Sequence, residues 1–107
     1  GEPLPDALQR ELKEELGIQV DVGEMAFMCD SIEPAYKRHI LHIFFHCAYR
    51  SGEYSLGSES RLFSYRYFTG DEIKDLIIFP PVREEILALL EKGSIERLYY
   101  KKNWMPL

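Results

Sequence analysis

Leucines in the first eighteen positions recur at helical spacing. Leu8, Leu12 and Leu16 form one narrow stripe among charged residues, and Gly17 follows the last of them. Pro3 and Pro5 fix the backbone just ahead, where a missing N–H costs little, so the spacing predicts a helix from about Asp6 to Leu16 with Gly17 as its left-handed stop. The pattern then changes to β-branched and apolar residues in IQVDVGEMAFMCDSI, one or two strands with a bend at Gly23. Residues 33–37, around Pro34, read as a loop. HILHIFFHCAY reads as a buried strand, SGEYSLGSESR as a loop and LFSYRYF as a further strand. Thr69 with Glu72 forms a capping-box pattern for a short helix through Leu76. Pro80 and Pro81 open a last helix, VREEILALLEK, with Ile86, Leu87, Leu89 and Leu90 on its apolar side and Gly93 as stop. The tail SIERLYYKKNWMPL fits a strand, a docked extension or a partner contact.

Composition narrows the class. A chain of 107 residues, 46% hydrophobic, suits one domain with a real core, and no repeat, low-complexity segment or internal boundary interrupts it. A net charge of -5 argues against nucleic acid or an anionic membrane as partner, since both reward a basic face. No apolar stretch approaches the ~20 residues that span a bilayer. Cys29 and Cys47 lack CxxC spacing and read as reduced, buried thiols of a cytoplasmic protein, with a disulfide between them as the less favoured alternative.

The candidate chemistry lies on the first helix. With Leu8 at 0° and about 100° per residue, Glu15, Glu11 and Glu14 fall near −20°, −60° and −120°, while Lys13 and Arg10 fall near 140° and 200°. Three carboxylates thus share one arc beside the apolar stripe, with like charges at i,i+3 and i,i+4 that each cost a few tenths of a kcal/mol. A hard divalent cation relieves that crowding, because Mg²⁺ takes carboxylate oxygens and keeps several waters. A solvated acidic face is the other reading of the same wheel. His39, His42 and His46 alternate faces on their strand and fit core or edge positions better than a metal site.

Glu2, seven residues, then Arg10-Glu11-Leu12-Lys13-Glu14-Glu15-Leu16-Gly17-Ile18 resembles the signature of the Nudix hydrolases. SYRYFTGDEIKDL and FPPVREEILALL are similar to that family's later strand-turn-helix segment and final helix. The resemblance implies an α/β fold, a Nudix-type α/β/α sandwich with a mixed sheet. It implies a single domain over 1–107 (signature and helix 1–18, tail 94–107). The signature's first glycine falls before Gly1, so the resemblance also implies a chain entered within its motif, without the N-terminal strands. An exposed sheet edge would then invite pairing of two copies as a homodimer.

By resemblance, Glu11, Glu14 and Glu15 would hold Mg²⁺ (or Mn²⁺) against the diphosphate of a small-molecule nucleotide substrate, and Arg10 would orient them. Glu2 would pair with Arg10 or support its loop, and Gly17 ends the helix. A further carboxylate, base or ligand, would come from the loop before the last strand, where Glu59 is preferred to Glu53, although a solvated turn is the plainer reading of that loop. Pro34 and Tyr36, sixteen and eighteen residues beyond Ile18, match downstream markers of ADP-ribose and dinucleoside polyphosphate hydrolases respectively. Phe27, Tyr36 and Tyr49 are candidates for base stacking or for the core. The implied activity is Mg²⁺-dependent hydrolysis of a nucleoside diphosphate linked to another moiety, and the alternative is a domain that binds nucleotide without cleaving it.

Overall fold

Local signals at the helix ends act as the pattern predicts. In the computed structural model, which describes residues 1–35, 37–58, 61–62 and 64–105, helix α1 covers Leu4–Leu16 with Pro3 at its N-cap. Gly17 ends it at φ 71°, in the left-handed region, with its N–H on the Lys13 carbonyl. Helix α2, Gly70–Ile73, carries the full Thr69/Glu72 capping box, but it stops before Leu76. Helix α3, Arg83–Lys92, ends at Gly93, φ 74°.

Three strands complete the mixed α/β architecture. Strand β1 is Gln19–Ile32, β2 is His39–Ser51 and β3 is Tyr99–Lys102. They lie in the order β2-β1-β3, with β3 parallel to β1 and Met28, Cys29, Asp30 and Ser31 opposite Tyr99, Tyr100, Lys101 and Lys102. Within the tail, Tyr99–Lys102 is therefore a strand. The turn from β1 to β2 is closed by the Glu33 N–H donating to the Arg38 carbonyl.

β1 is one continuous strand, and the expected break at Gly23 takes another form. Val20 and Ala26 are buried at even positions and Phe27, Cys29 and Ser31 at odd ones, so the change falls at Ala26–Phe27, beyond the glycine. The inward phase passes from even to odd positions, as one extra residue in a strand would make it do.

The contacts cluster into two compact units, Gly1–Glu24 with Phe45–Arg66, and Met25–Phe44 with Tyr67–Leu107. In the first, Ile18 and Val20 are buried, while Leu8, Leu12 and Leu16 of α1 are half-buried. In the second, Ala26, Phe27, Cys29 and Val82 form the centre, with Phe44, Ile78, Ile86, Leu89, Ile95 and Tyr100 packed around them. Phe27 stacks on Phe44 at 4.4 Å and meets the edge of Tyr100 at 5.9 Å. Burying one such phenylalanine contributes about 1.5–3 kcal/mol.

Four expectations need correction. LFSYRYF is not a strand among its described residues; Tyr65 instead donates its hydroxyl to the Tyr54 carbonyl. β2 is half-buried to exposed rather than buried, because it lies at an edge of the described sheet. Cys29 is buried and free, but Cys47, on β2, is exposed. On α3 the inward face is rotated: Leu90 is 58% exposed while Glu85 is only 8% exposed. Glu85 turns inward because Lys102 Nζ of β3 stands 2.8 Å from its Oε1. That contact is an ion pair without an aligned hydrogen bond.

Candidate functional site

The signature helix carries its charges on a braced backbone. Arg10 donates from Nε to Glu2 Oε1 at 2.8 Å and from Nη1 to the Glu14 carboxylate at 3.2 and 3.4 Å. One guanidinium therefore spans the residue ahead of α1 and the middle of its acidic arc. Its pKa is held above the ordinary arginine value, first by the hydrogen bond to Glu2 and then by the charges of Glu2 and Glu14. The pair expected between Glu2 and Arg10 is present, and Arg10 also fixes Glu14.

The C-terminal end of α1 is sealed by the loop after β2. Four carbonyls at a helix end lack partners within the helix. Here the Ser55 N–H donates to the Leu16 carbonyl at 2.9 Å and the Gly57 N–H to the Glu15 carbonyl at 3.0 Å. Glycine makes that approach feasible. A Cβ on Gly52, at φ +98°, would lie 2.4 Å from the Gly17 carbonyl oxygen, and one on Gly57 would lie 2.5 Å from the Glu14 carbonyl oxygen. SGEYSLGSESR reads from sequence as a solvated loop; its Gly-xxxx-Gly spacing was the available signal for this docking.

Within that loop Glu53 is exposed and stands beside the helix stop, its carbonyl within 3.2 Å of a Cβ built on Gly17. Glu59, the preferred further carboxylate, lies outside the described residues, as does Tyr36. Tyr49 stacks on Tyr54 at 5.9 Å, and Tyr54 stacks on Tyr65 at 5.3 Å, an aromatic row that sequence spacing did not reveal. Phe27 is 1% exposed and belongs to the core. Pro34 sits in the turn after β1, on the wall of a cavity with Trp104.

The donor set suits a hard divalent ion. Glu11 and Glu14 are exposed and Glu15 is half-buried, so all three offer oxygen ligands within reach of water. Among the described residues, no three His, Cys, Asp or Glu side chains converge on one point. In this arrangement Glu14 is turned to Arg10. Behind the acidic arc, Gln9, Arg10 and Lys13 border a cavity of about 450 Å³, closed by Gln19, Asp21 and Arg50. The helix thus presents carboxylates on one side and cations on the next.

The histidines have other surroundings. His39 bonds Asp30 through Nε2, His42 meets the Phe79 ring edge-on at 6.0 Å, and His46 is exposed. No described helix is long and apolar enough to cross a membrane.

Comparison with known proteins bears on the family and the fold. A family model described as NUDIX domain matches residues 1–90. No curated protein matches the chain. Among solved structures, the chain is similar to a NUDIX hydrolase from Nitrosomonas europaea, with a TM-score of 0.65 and 19% identity. The match covers 97% of this chain and 58% of that one. It is a likeness of fold, and the chain spans little more than half the length of that relative.

Proposed function

Since the chain belongs to the NUDIX domain family, we propose that it serves in Mg²⁺-dependent hydrolysis of a nucleoside diphosphate linked to another moiety. The observation that carries this reading is the acidic arc of α1 with Arg10 braced between Glu2 and Glu14. Glu11, Glu14 and Glu15 would hold the ion. When bound, it would neutralise the phosphate oxygens and acidify the attacking water.

The chain's own residues supply the rest. Arg10 holds the Glu14 side chain away from its neighbours, which lowers the mutual repulsion of the three carboxylates until they are needed. Glu2 anchors Arg10 from the other side. The docked loop fixes the helix end, so that Glu14 and Glu15 stand on a backbone with little freedom to fray. The further carboxylate that would take up a proton is Glu59, with Glu53 on the same loop as the next choice. Lys13 and Arg50 line the adjoining cavity on the other side of α1, where Arg50 is paired with Asp21.

The test is release of phosphomonoester products from ADP-ribose, dinucleoside polyphosphates and nucleoside triphosphates, with Mg²⁺ and with EDTA. Turnover is expected only with Mg²⁺. Glu11→Gln is expected to reduce it by about 10³-fold or more, with thermal unfolding unchanged, because a ligand to the ion is lost from an exposed position. Saturable nucleotide binding without turnover would assign the chain to the sensing alternative, and full activity in Glu11→Gln would overturn the metal assignment.

A further inference from the structure

Residues 52–58, the loop that caps α1, form neither helix nor strand, so side chains must hold them. Three tyrosines do. Tyr49, on β2, donates its hydroxyl to the Gly52 carbonyl, at the residue whose φ of +98° starts the loop. Its ring stacks on Tyr54 at 5.9 Å and 13°, and Tyr54 stacks on Tyr65 at 5.3 Å and 24°, separations that favour aromatic pairs. Tyr54 is thus held between two rings, one anchored on the strand and the other on the chain beyond the loop.

The hydroxyl of Tyr65 acts at a sharper point. It donates to the Tyr54 carbonyl at 2.7 Å, while the Ser55 N–H donates to the Leu16 carbonyl at 2.9 Å. That carbonyl and that N–H belong to one peptide plane, and in a trans peptide they point in opposite directions. Fixing the carbonyl at one end therefore aims the N–H at the other. Each bond also polarises the amide they share, which strengthens both. The chain of contacts runs from Tyr65 through this peptide to Leu16, and the Gly57 N–H takes the carbonyl of Glu15 beside it at 3.0 Å. All of these residues lie in the first unit.

We infer that Tyr65 is a positioning residue for the acidic arc: its hydroxyl orients the 54–55 peptide as the cap of α1 and so keeps Glu14 and Glu15 in place for the ion. This role rests on the metal reading of the arc proposed above. Without the loop N–H groups the Glu15 and Leu16 carbonyls lack partners, and a last turn freed in this way frays. Mg²⁺ demands near-octahedral placement of its ligands. Fraying at Glu14 and Glu15 therefore weakens the ion before it unfolds the unit.

Tyr65→Phe keeps the stacked ring and removes only the hydroxyl. Mn²⁺ uptake by the protein, read by electron paramagnetic resonance without substrate, is expected to weaken about threefold or more. The Ser55 amide is expected to exchange faster by a similar factor. The Mg²⁺ concentration for half-maximal turnover should rise alike, with kcat at saturating Mg²⁺ retained. Tyr99→Phe removes a comparable hydroxyl from the second unit, where it bonds Asp30, and is expected to leave Mn²⁺ affinity and Ser55 exchange as in the parent. Mn²⁺ affinity equal in Tyr65→Phe and the parent would overturn the positioning role. So would equal weakening by Tyr99→Phe, which would mark a general loss of stability. Unchanged Ser55 exchange in Tyr65→Phe would break the link through the peptide. A parent that takes up no Mn²⁺ would overturn the metal reading and this role with it. Glu11→Gln is expected to weaken Mn²⁺ while Ser55 exchange stays unchanged, so the two failures can be told apart.

Discussion

Asp30 illustrates how one side chain can serve several strands. It stands on β1, accepts the Tyr99 hydroxyl of β3 at 2.7 Å and bonds the His39 ring of β2. The Tyr99 hydrogen bond, followed by the His39 hydrogen bond, holds its carboxyl below the usual aspartate value of 3.8. The folded carboxyl is thus more acidic than the unfolded one. Its contribution is present above the unfolded pKa and is lost as pH falls through the folded one. Tyr99 carries the opposite sign: its bond to Asp30 raises its pKa above 10.0, so its share is lost as alkali strips the unfolded chain first. Asp30→Asn is expected to flatten the decline in stability between about pH 4 and pH 2. Urea midpoints measured at several acidic pH values check this; an unchanged acid limb would mean that the three-strand contact contributes nothing.

At the scale of elements, glycines set where the chain can touch itself. Gly52 combines φ +98° with a Cβ position 2.4 Å from backbone, so no side-chain adjustment can relieve a substitution there. Gly52→Ala is expected to destabilise the first unit by about 1–3 kcal/mol. Hydrogen exchange should locate the effect at the amides of Ser55 and Gly57, which now cap α1. The same contacts mark the limit of what spacing along the chain could convey. Thr69 with Glu72, Gly17 and Gly93 announced their helix ends because a cap is settled within a few residues. LFSYRYF had the residues of a strand, but a strand needs a partner, and Tyr65 meets Tyr54 instead. Glu85 read as part of a polar face, because the lysine that draws it inward is seventeen positions away. For the candidate site, the acidic arc and the Arg10–Glu2 spacing were legible, whereas the docked loop and the tyrosine row depend on contacts between distant segments.

At the scale of the whole molecule, the family match and the folded unit do not end at the same place. The match covers residues 1–90, yet Tyr100 packs on the core and Lys102 faces Glu85. A protein cut after Leu90 is expected to lose the native near-ultraviolet circular dichroism of its aromatic core. The cut leaves the buried Glu85 without its ion-pair partner and also removes β3's hydrogen bonds. Retention of that spectrum by the shortened chain would show that β3 is dispensable.

β3 also shelters a thiol. Cys29 is fully buried, its pKa raised first by burial, and it lies in register with Tyr100 on the neighbouring strand. Such a sulfur meets oxidants or alkylating agents only when the core it shares with Ala26, Phe27 and Val82 opens. Modification of Cys29 would therefore measure how often this core opens, with exposed Cys47 as an internal reference for a thiol that needs no such opening.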